Sequence, residues 1–242
     1  MCRPVVGPVA PCMVSLFGPL RLGGTERRAV LDEHRGLNLL VVCAANVCRS
    51  PLAEYLLAKG VESLPEFEGH SVSSAGGTAQ AGSGICVRVG ERLGVDGADF
   101  AAAHRSRMLT IDEVRRSGLV LTASKAERAA VARLDPSARS RTFTLREAAS
   151  LAAAGPVGIP DPTIDRPLEA FAAVIHARRG LTAPPPREAK QGFFRRSKRT
   201  PVGDPLDIAD GHVLGTRPHL HTLDEVAEAV DVLIGALRAS QE

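Results

Sequence analysis

Between Val41 and Pro51 the chain reads Val-Val-Cys-Ala-Ala-Asn-Val-Cys-Arg-Ser-Pro, and this stretch restricts the fold more than any other. Leu37 to Val42 is a short, almost wholly apolar run with polar neighbours, the pattern of a strand buried on both faces. Ser50 then offers an N-cap, and Pro51 stands at a first helical position, where its fixed φ and missing N–H are tolerated. Leu52 and Leu56 open the apolar face of the helix that follows. A loop between strand and helix start turns its N–H groups toward one point in front of the positive helix end. That arrangement suits an anion, phosphate above all.

The side chains of the loop suit the same ligand. A cysteine beside an arginine at a helix N-terminus gives up its proton more readily than a free thiol, so Cys43 is the expected nucleophile. Arg49 can grip two phosphate oxygens with its planar fork, which a lysine cannot do. The Ser50 hydroxyl is placed to steady a thiolate, and Asn46 suits a left-handed turn. The expected phosphate cradle is Ala44, Ala45, Asn46, Val47, Cys48, Arg49 and Ser50. The C-x5-R spacing alone is weak, since Cys43 and Cys48 also read as small core residues and Arg49 as an exposed charge. The strand before it and the cap and proline after it lend it weight.

This run resembles the V-C-x-G-N-[IV]-C-R-S-P signature of low-molecular-weight protein tyrosine phosphatases, with Ala45 where that family usually has glycine. Ser74-Ala75-Gly76 is similar to its second-strand S-A-G, and Gly118-Leu119-Val120-Leu121-Thr122 to its D-L-V-L-T without the aspartate. The likeness covers roughly residues 37 to 154 and resumes near the C-terminus. It implies hydrolysis of phosphate monoesters, protein phosphotyrosine first among them, through a phosphocysteine intermediate and without a cofactor. The expected partner is thus a phosphorylated protein or a small phosphate ester. The resemblance also implies that Cys48 can protect Cys43 as a disulfide under oxidation.

The family places its general acid, an aspartate, in a D-P motif just before the last helix. Two segments compete for that role here. Ile159-Pro160-Asp161-Pro162 reproduces the letters, whereas Asp207-Ile208-Ala209-Asp210-Gly211-His212 leads into the final helix with glycine in place of the proline. Asp210 ranks first, Asp161 is its rival and Asp204 comes third, although each also reads as an ordinary turn residue. The positions that would carry an aromatic cleft wall are Thr163 and Ile164, or His212 and Val213, so an aliphatic or small ester stays open as substrate. Two other functions stay open as well. One is arsenate reduction resolved by a low-molecular-weight thiol, because no cysteine follows Cys86; the other is a non-catalytic phosphate- or phosphoprotein-binding module, suggested by Ala45.

After residue 37 strand-like and helix-like stretches alternate, which predicts an α/β domain with a four-stranded parallel sheet flanked by helices. Strands are expected at 37–43, 70–75, 118–123 and 141–145, and helices at about 51–63, 82–93, 111–116, 124–134 and 145–154. Capping boxes are expected at Thr110/Glu113, Ser124/Glu127 and Thr144/Glu147. Ile85, Val89 and Leu93 form a core-facing stripe. An amphipathic helix over Leu168 to Arg179 and a proline-rich, basic linker over 180–205 follow. Residues 155–203 thus read as an insert with its own helix and linker. The last helix is expected over Thr222 to Leu237, opened by a Thr222/Glu225 box. Arg195-Arg196-Ser197-Lys198-Arg199 reads as a solvated linker, with a membrane surface or acidic partner as the other reading.

Residues 1–36 are expected to be a disordered extension, or the product of an early start with Met13 as a rival. Four prolines interrupt their apolar run and no A-x-A site follows, which argues against a signal peptide. A net charge of +3 argues against nucleic acid as partner, and no run is long enough to span a membrane. The five cysteines show neither a disulfide framework nor metal-ligand spacing, and the histidines near 212–221 read as solvated. No metal is expected, and the compartment is read as the reducing cytoplasm.

Overall fold

Asn38–Cys43 (β1), Ser71–Gly76 (β2), Ser117–Thr122 (β3) and Thr142–Thr144 (β4) pair in parallel in the order β2-β1-β3-β4. The structure is a computed structural model that describes residues 38–157, 166–181 and 204–239. The chain divides into Met1–Glu33 and His34–Glu242, and every described residue belongs to the second unit. The expected extension over 1–36, the Ile159–Pro162 motif, the linker from 182 to 203 and its basic run all lie outside the described residues.

The apolar runs of β1 and β3 have cores on both sides. Leu39, Val41, Leu119, Leu121 and Phe143 belong to the larger core, and Leu40, Val42 and Val120 to the smaller one on the opposite face. This is the period-two alternation of a strand covered twice. The larger core takes Leu52 and Leu57 from helix α1 (Arg49–Glu62), Leu145 and Leu151 from α6 (Leu145–Ala153), and Leu168, Phe171 and Ile175 from α7 (Pro167–Ala177). Leu223, Val230 and Leu233 of the last helix, α8 (Thr216–Ala239), complete it. The smaller core takes Val114 from α4 (Ile111–Arg116) and Val131 from α5 (Lys125–Leu134). Between β2 and α4 in sequence lie α2 (Val87–Leu93) and α3 (Ala98–Ala103).

The first and third expected capping boxes form, at Thr110/Glu113 and Thr144/Glu147. At the second, Ser124 accepts from the Ala126 N–H while its hydroxyl meets Glu127, so no reciprocal box closes. Three boundaries differ from the sequence expectation for identifiable reasons. Residues 82–86 do not join α2, because their N–H groups have other partners: Gly82 donates to Ser106 O and Cys86 to Val47 O. Helix α3 has no buried residue and hence no apolar stripe by which to read it. Finally, α8 starts at Thr216, which leaves Thr222 inside the helix, donating to Ala209 O at 3.1 Å instead of capping.

Helix α7, which the sequence places in an insert, is fastened to the core. Arg178 donates to the carbonyls of Leu151 at 2.8 Å and Pro156 at 2.6 Å, closing the end of α6. Arg179 lies 4.0 Å over the Phe143 ring and bonds Glu147 at 3.0 Å. Burial opposes ionisation of Glu147, yet the bond and charge of Arg179, followed by Arg128, hold its carboxyl below the usual range.

Chain order and sheet order disagree at one place, and it locates the site. From β1 the chain passes through α1 to β2 on one side, whereas β3 lies on the other. The carboxyl end of β1 is therefore a topological switch point, where open parallel sheets form their ligand crevice. Among the described residues no helix is long and apolar enough to cross a membrane.

Candidate active site

Cys43 ends β1, and the chain curls from it around its own thiol. Cys43 Sγ lies 3.0 Å from Ser50 Oγ and accepts from the Asn46 N–H at 3.3 Å. Asn46 has φ 56°, the one positive value outside glycine among the described residues, and the left-handed turn that the sequence suggests is what aims its N–H inward. Ala45, by contrast, is exposed and outside that region, so a methyl group in place of the family's glycine fits the loop without backbone strain. Helix α1 begins at Arg49, one residue before the expected cap. Cys48 is the N-cap and makes no side-chain cap bond, its sulfur facing His219 instead, while the Ser50 hydroxyl faces the Cys43 sulfur.

Asn46 is also the pin that fixes the loop from below. Its Nδ2 donates to Ser50 Oγ at 3.0 Å and to Ser74 Oγ at 2.7 Å, and its Oδ1 accepts from the Arg107 N–H at 3.0 Å. Ser74 donates to Glu54 at 2.5 Å, and His104 Nε2 meets the Asn46 carbonyl at 2.8 Å. Burial pushes the Glu54 carboxyl above its usual range, although the Ser74 bond works the other way. Sequence reading missed Ser74, His104 and Arg107, which reach Asn46 from separate elements, and Glu54, which reaches it through Ser74. Only the S-A-G motif hinted at them.

Gly76 ends that motif beneath the loop. A Cβ there would stand 2.5 Å from Ala44 O and 3.0 Å from Asn46 N, so the backbone approach itself requires glycine. Gly76→Ala is expected to shift the loop and lower kcat/KM for an aryl phosphate by about 10²-fold, as a misplacement near 1 Å does. Steady-state kinetics with a circular-dichroism melt as folding control measures this, and unchanged kinetics would mean that the loop yields at no cost.

Arg49 is buried, at 4% exposure, and points across the loop mouth. Its guanidinium donates to Ile208 O at 3.0 Å and to Asp210 Oδ2 at 2.8 Å, and Glu127 stands 4.0 Å away. The segment bearing Asp210 is strapped over the strand ends. Ile208 N–H donates to Ala123 O, Thr144 Oγ1 to Leu206 O at 2.6 Å, and the Lys125 N–H to Asp207 at 2.8 Å. Asp204, the third-ranked acid, bonds Lys125 Nζ at 2.6 Å and the Leu206 N–H at 3.0 Å, a strap-fixing role away from Arg49. Asp161 lies outside the described residues.

Gly211, which stands where the resemblance would put a proline, has a reason in the packing. A Cβ there would come within 2.6 Å of Pro218 O and 2.7 Å of His219 Cα, at the start of α8. That close approach brings His219 down to the loop, where its Nε2 lies 3.0 Å from Cys48 Sγ and 3.6 Å from Cys86 Sγ. The hydrogen bond between the two cysteines divides their ionisation. It brings the Cys86 thiol down to about 5 and, together with burial, pushes the Cys48 thiol up.

The arrangement thus brings a thiol, a guanidinium and a carboxylate together at one strand-to-helix loop, a set of groups suited to an anion. Comparison with known proteins agrees. Residues 38–178 match the family of low molecular weight phosphotyrosine protein phosphatases. The chain is 31% identical over 108 residues to the low molecular weight protein-tyrosine-phosphatase Ptp of Acinetobacter johnsonii, covering 45% of this chain and 71% of that one. It is 35% identical over 109 residues to the protein-arginine-phosphatase of Geobacillus stearothermophilus, covering 45% and 69%. Among solved structures, the low molecular weight protein tyrosine phosphatase of T. tengcongensis has a TM-score of 0.50 across 82% of this chain and 97% of that one. At 19% identity this is a likeness of fold.

Proposed function

Because the chain belongs to the low molecular weight phosphotyrosine protein phosphatase family and is a cysteine-dependent phosphatase, we propose that Cys43 is its nucleophile, Arg49 its phosphate clamp and Asp210 its general acid. The observation that carries this reading is the 2.8 Å pair between Arg49 and Asp210, residues 161 apart in sequence that meet over the Cys43 loop. Phosphate arriving in the loop exchanges for Asp210 and Ile208 O on the guanidinium. Its oxygens then face Arg49 and the loop N–H groups, which hold the charge that spreads over them in the transition state.

The Cys43 thiolate attacks phosphorus, the S–P bond forms and the P–O bond to the leaving group breaks. Asp210 gives its proton to the departing oxygen. As a carboxylate it next takes a proton from water, which attacks the phosphocysteine, frees phosphate and restores the thiolate. The proposed substrate is protein phosphotyrosine in the reducing cytoplasm, where a catalytic thiol stays free. The arginine phosphatase among the relatives makes phosphoarginine the second substrate to try.

Trapping the intermediate tests the reading. Acid quench during turnover of a radiolabelled phosphotyrosyl peptide is expected to leave the label on the Cys43 peptide, and label elsewhere or nowhere would refute the assignment. Arsenate reduction with added small thiols, run in parallel, is expected to be negligible beside the hydrolysis.

A further inference from the structure

Four side chains at the loop's outer edge point to a second kind of chemistry. Cys48, Cys86, His212 and His219 bring one ligand atom each within 4.8 Å of all the others. They come from the phosphate loop, the N-cap of α2, the turn after Asp210 and the first turns of α8. Their positions in sequence look scattered, which is why sequence spacing predicts no metal. Folding gathers them. From this geometry we propose that Cys48, Cys86, His212 and His219 form a Cys2His2 site for zinc.

The donor set is the one zinc prefers, with two thiolates and two imidazoles and no oxygen ligand. Tetrahedral zinc with bonds of about 2.3 Å to sulfur and 2.0–2.1 Å to nitrogen holds its ligand atoms roughly 3.3–3.8 Å apart. Cys86 Sγ to His219 Nε2 already measures 3.6 Å, and Cys48 Sγ to His219 Nε2 needs to open slightly from 3.0 Å. The rings of His212 and His219 stand edge to face with centroids 5.0 Å apart, so both can turn a nitrogen to one centre. Cys48, Cys86 and His219 are buried while His212 is exposed, which provides a closed site with a path from solvent. Binding replaces the two thiol protons by the metal, so each zinc taken up releases up to two protons and nothing is oxidised or reduced.

Four protein ligands leave no open position, so the site is structural. It ties the loop to the turn that carries Asp210, whose Oδ1 accepts from the His212 N–H at 3.1 Å. It also occupies Cys48, which then cannot serve Cys43 as a disulfide partner.

The test is metal binding by the full-length protein, read without any phosphatase assay. Zinc content after purification and dialysis against zinc is expected to be one equivalent, with a Kd on the order of nanomolar. Cobalt(II) in place of zinc is expected to give the intense visible bands of a tetrahedral ion and a sulfur-to-cobalt charge-transfer band. Cys86→Ser should lose both signatures. His212→Ala, at an exposed position that leaves the core intact, should weaken zinc binding by at least about 10²-fold. Wild-type protein that binds zinc no better than His212→Ala, or cobalt spectra typical of weak octahedral sites, would overturn the proposal and leave the cluster as a hydrogen-bonded cysteine–histidine group.

Discussion

Cys43→Ser is expected to remove hydrolysis of para-nitrophenyl phosphate, by on the order of 10⁴-fold or more, while inorganic phosphate still binds. A serine hydroxyl is not ionised at neutral pH and cannot replace the thiolate as nucleophile. Beyond the Asn46 N–H and the Ser50 hydroxyl, the cradle is held by bonds that do not involve that sulfur. Asn46 keeps its bonds to Ser50, Ser74 and the Arg107 N–H, and Arg49 stays buried at the loop mouth. Isothermal titration with phosphate, set beside steady-state kinetics, separates binding from chemistry. A Cys43→Ser protein that keeps more than a small fraction of its activity would falsify the nucleophile assignment.

Asp210→Asn is expected to cost about 10²- to 10⁴-fold in turnover of phenyl phosphate and far less with para-nitrophenyl phosphate. Phenolate is the more basic leaving group and needs a proton in the transition state, whereas nitrophenolate departs nearly unaided. The ratio of the two rates therefore reports the acid itself, because a general loosening of the strap would slow both substrates alike. Asp204→Asn provides that comparison. It breaks the Lys125 pair at 2.6 Å and should lower both rates together. A normal phenyl phosphate rate in Asp210→Asn beside a slowed one in Asp161→Asn would move the acid to Asp161, and normal rates in both and in Asp204→Asn would leave none of the three as the acid.

The elements of this domain could be read from the chain because their signals are local. The apolar run before Cys43, the capping pairs at Thr110 and Thr144, and the S-A-G motif each lie within a few residues. The positive φ of Asn46 was legible for the same reason, since a residue's tolerance of the left-handed region is its own property. What could not be read depends on where distant segments land. Ser50 looks like a cap until its hydroxyl is found on Cys43, and Thr222 looks like a helix start until Gly211 lets α8 begin six residues earlier. Glu127, buried beside Arg49, carries no signal beyond its place in a capping pattern. The cysteine–histidine cluster is the extreme case, because Cys48 and His219 are separated by 171 residues.

That separation has a consequence in time. A ribosome adds roughly 5–20 residues per second, so the codon for Asp210 is read roughly 10–30 s after that for Arg49. During that interval a nascent chain carries Cys43 and Arg49 without the strap that brings Asp210 to them. The site as proposed is therefore complete only once nearly the whole domain has been made.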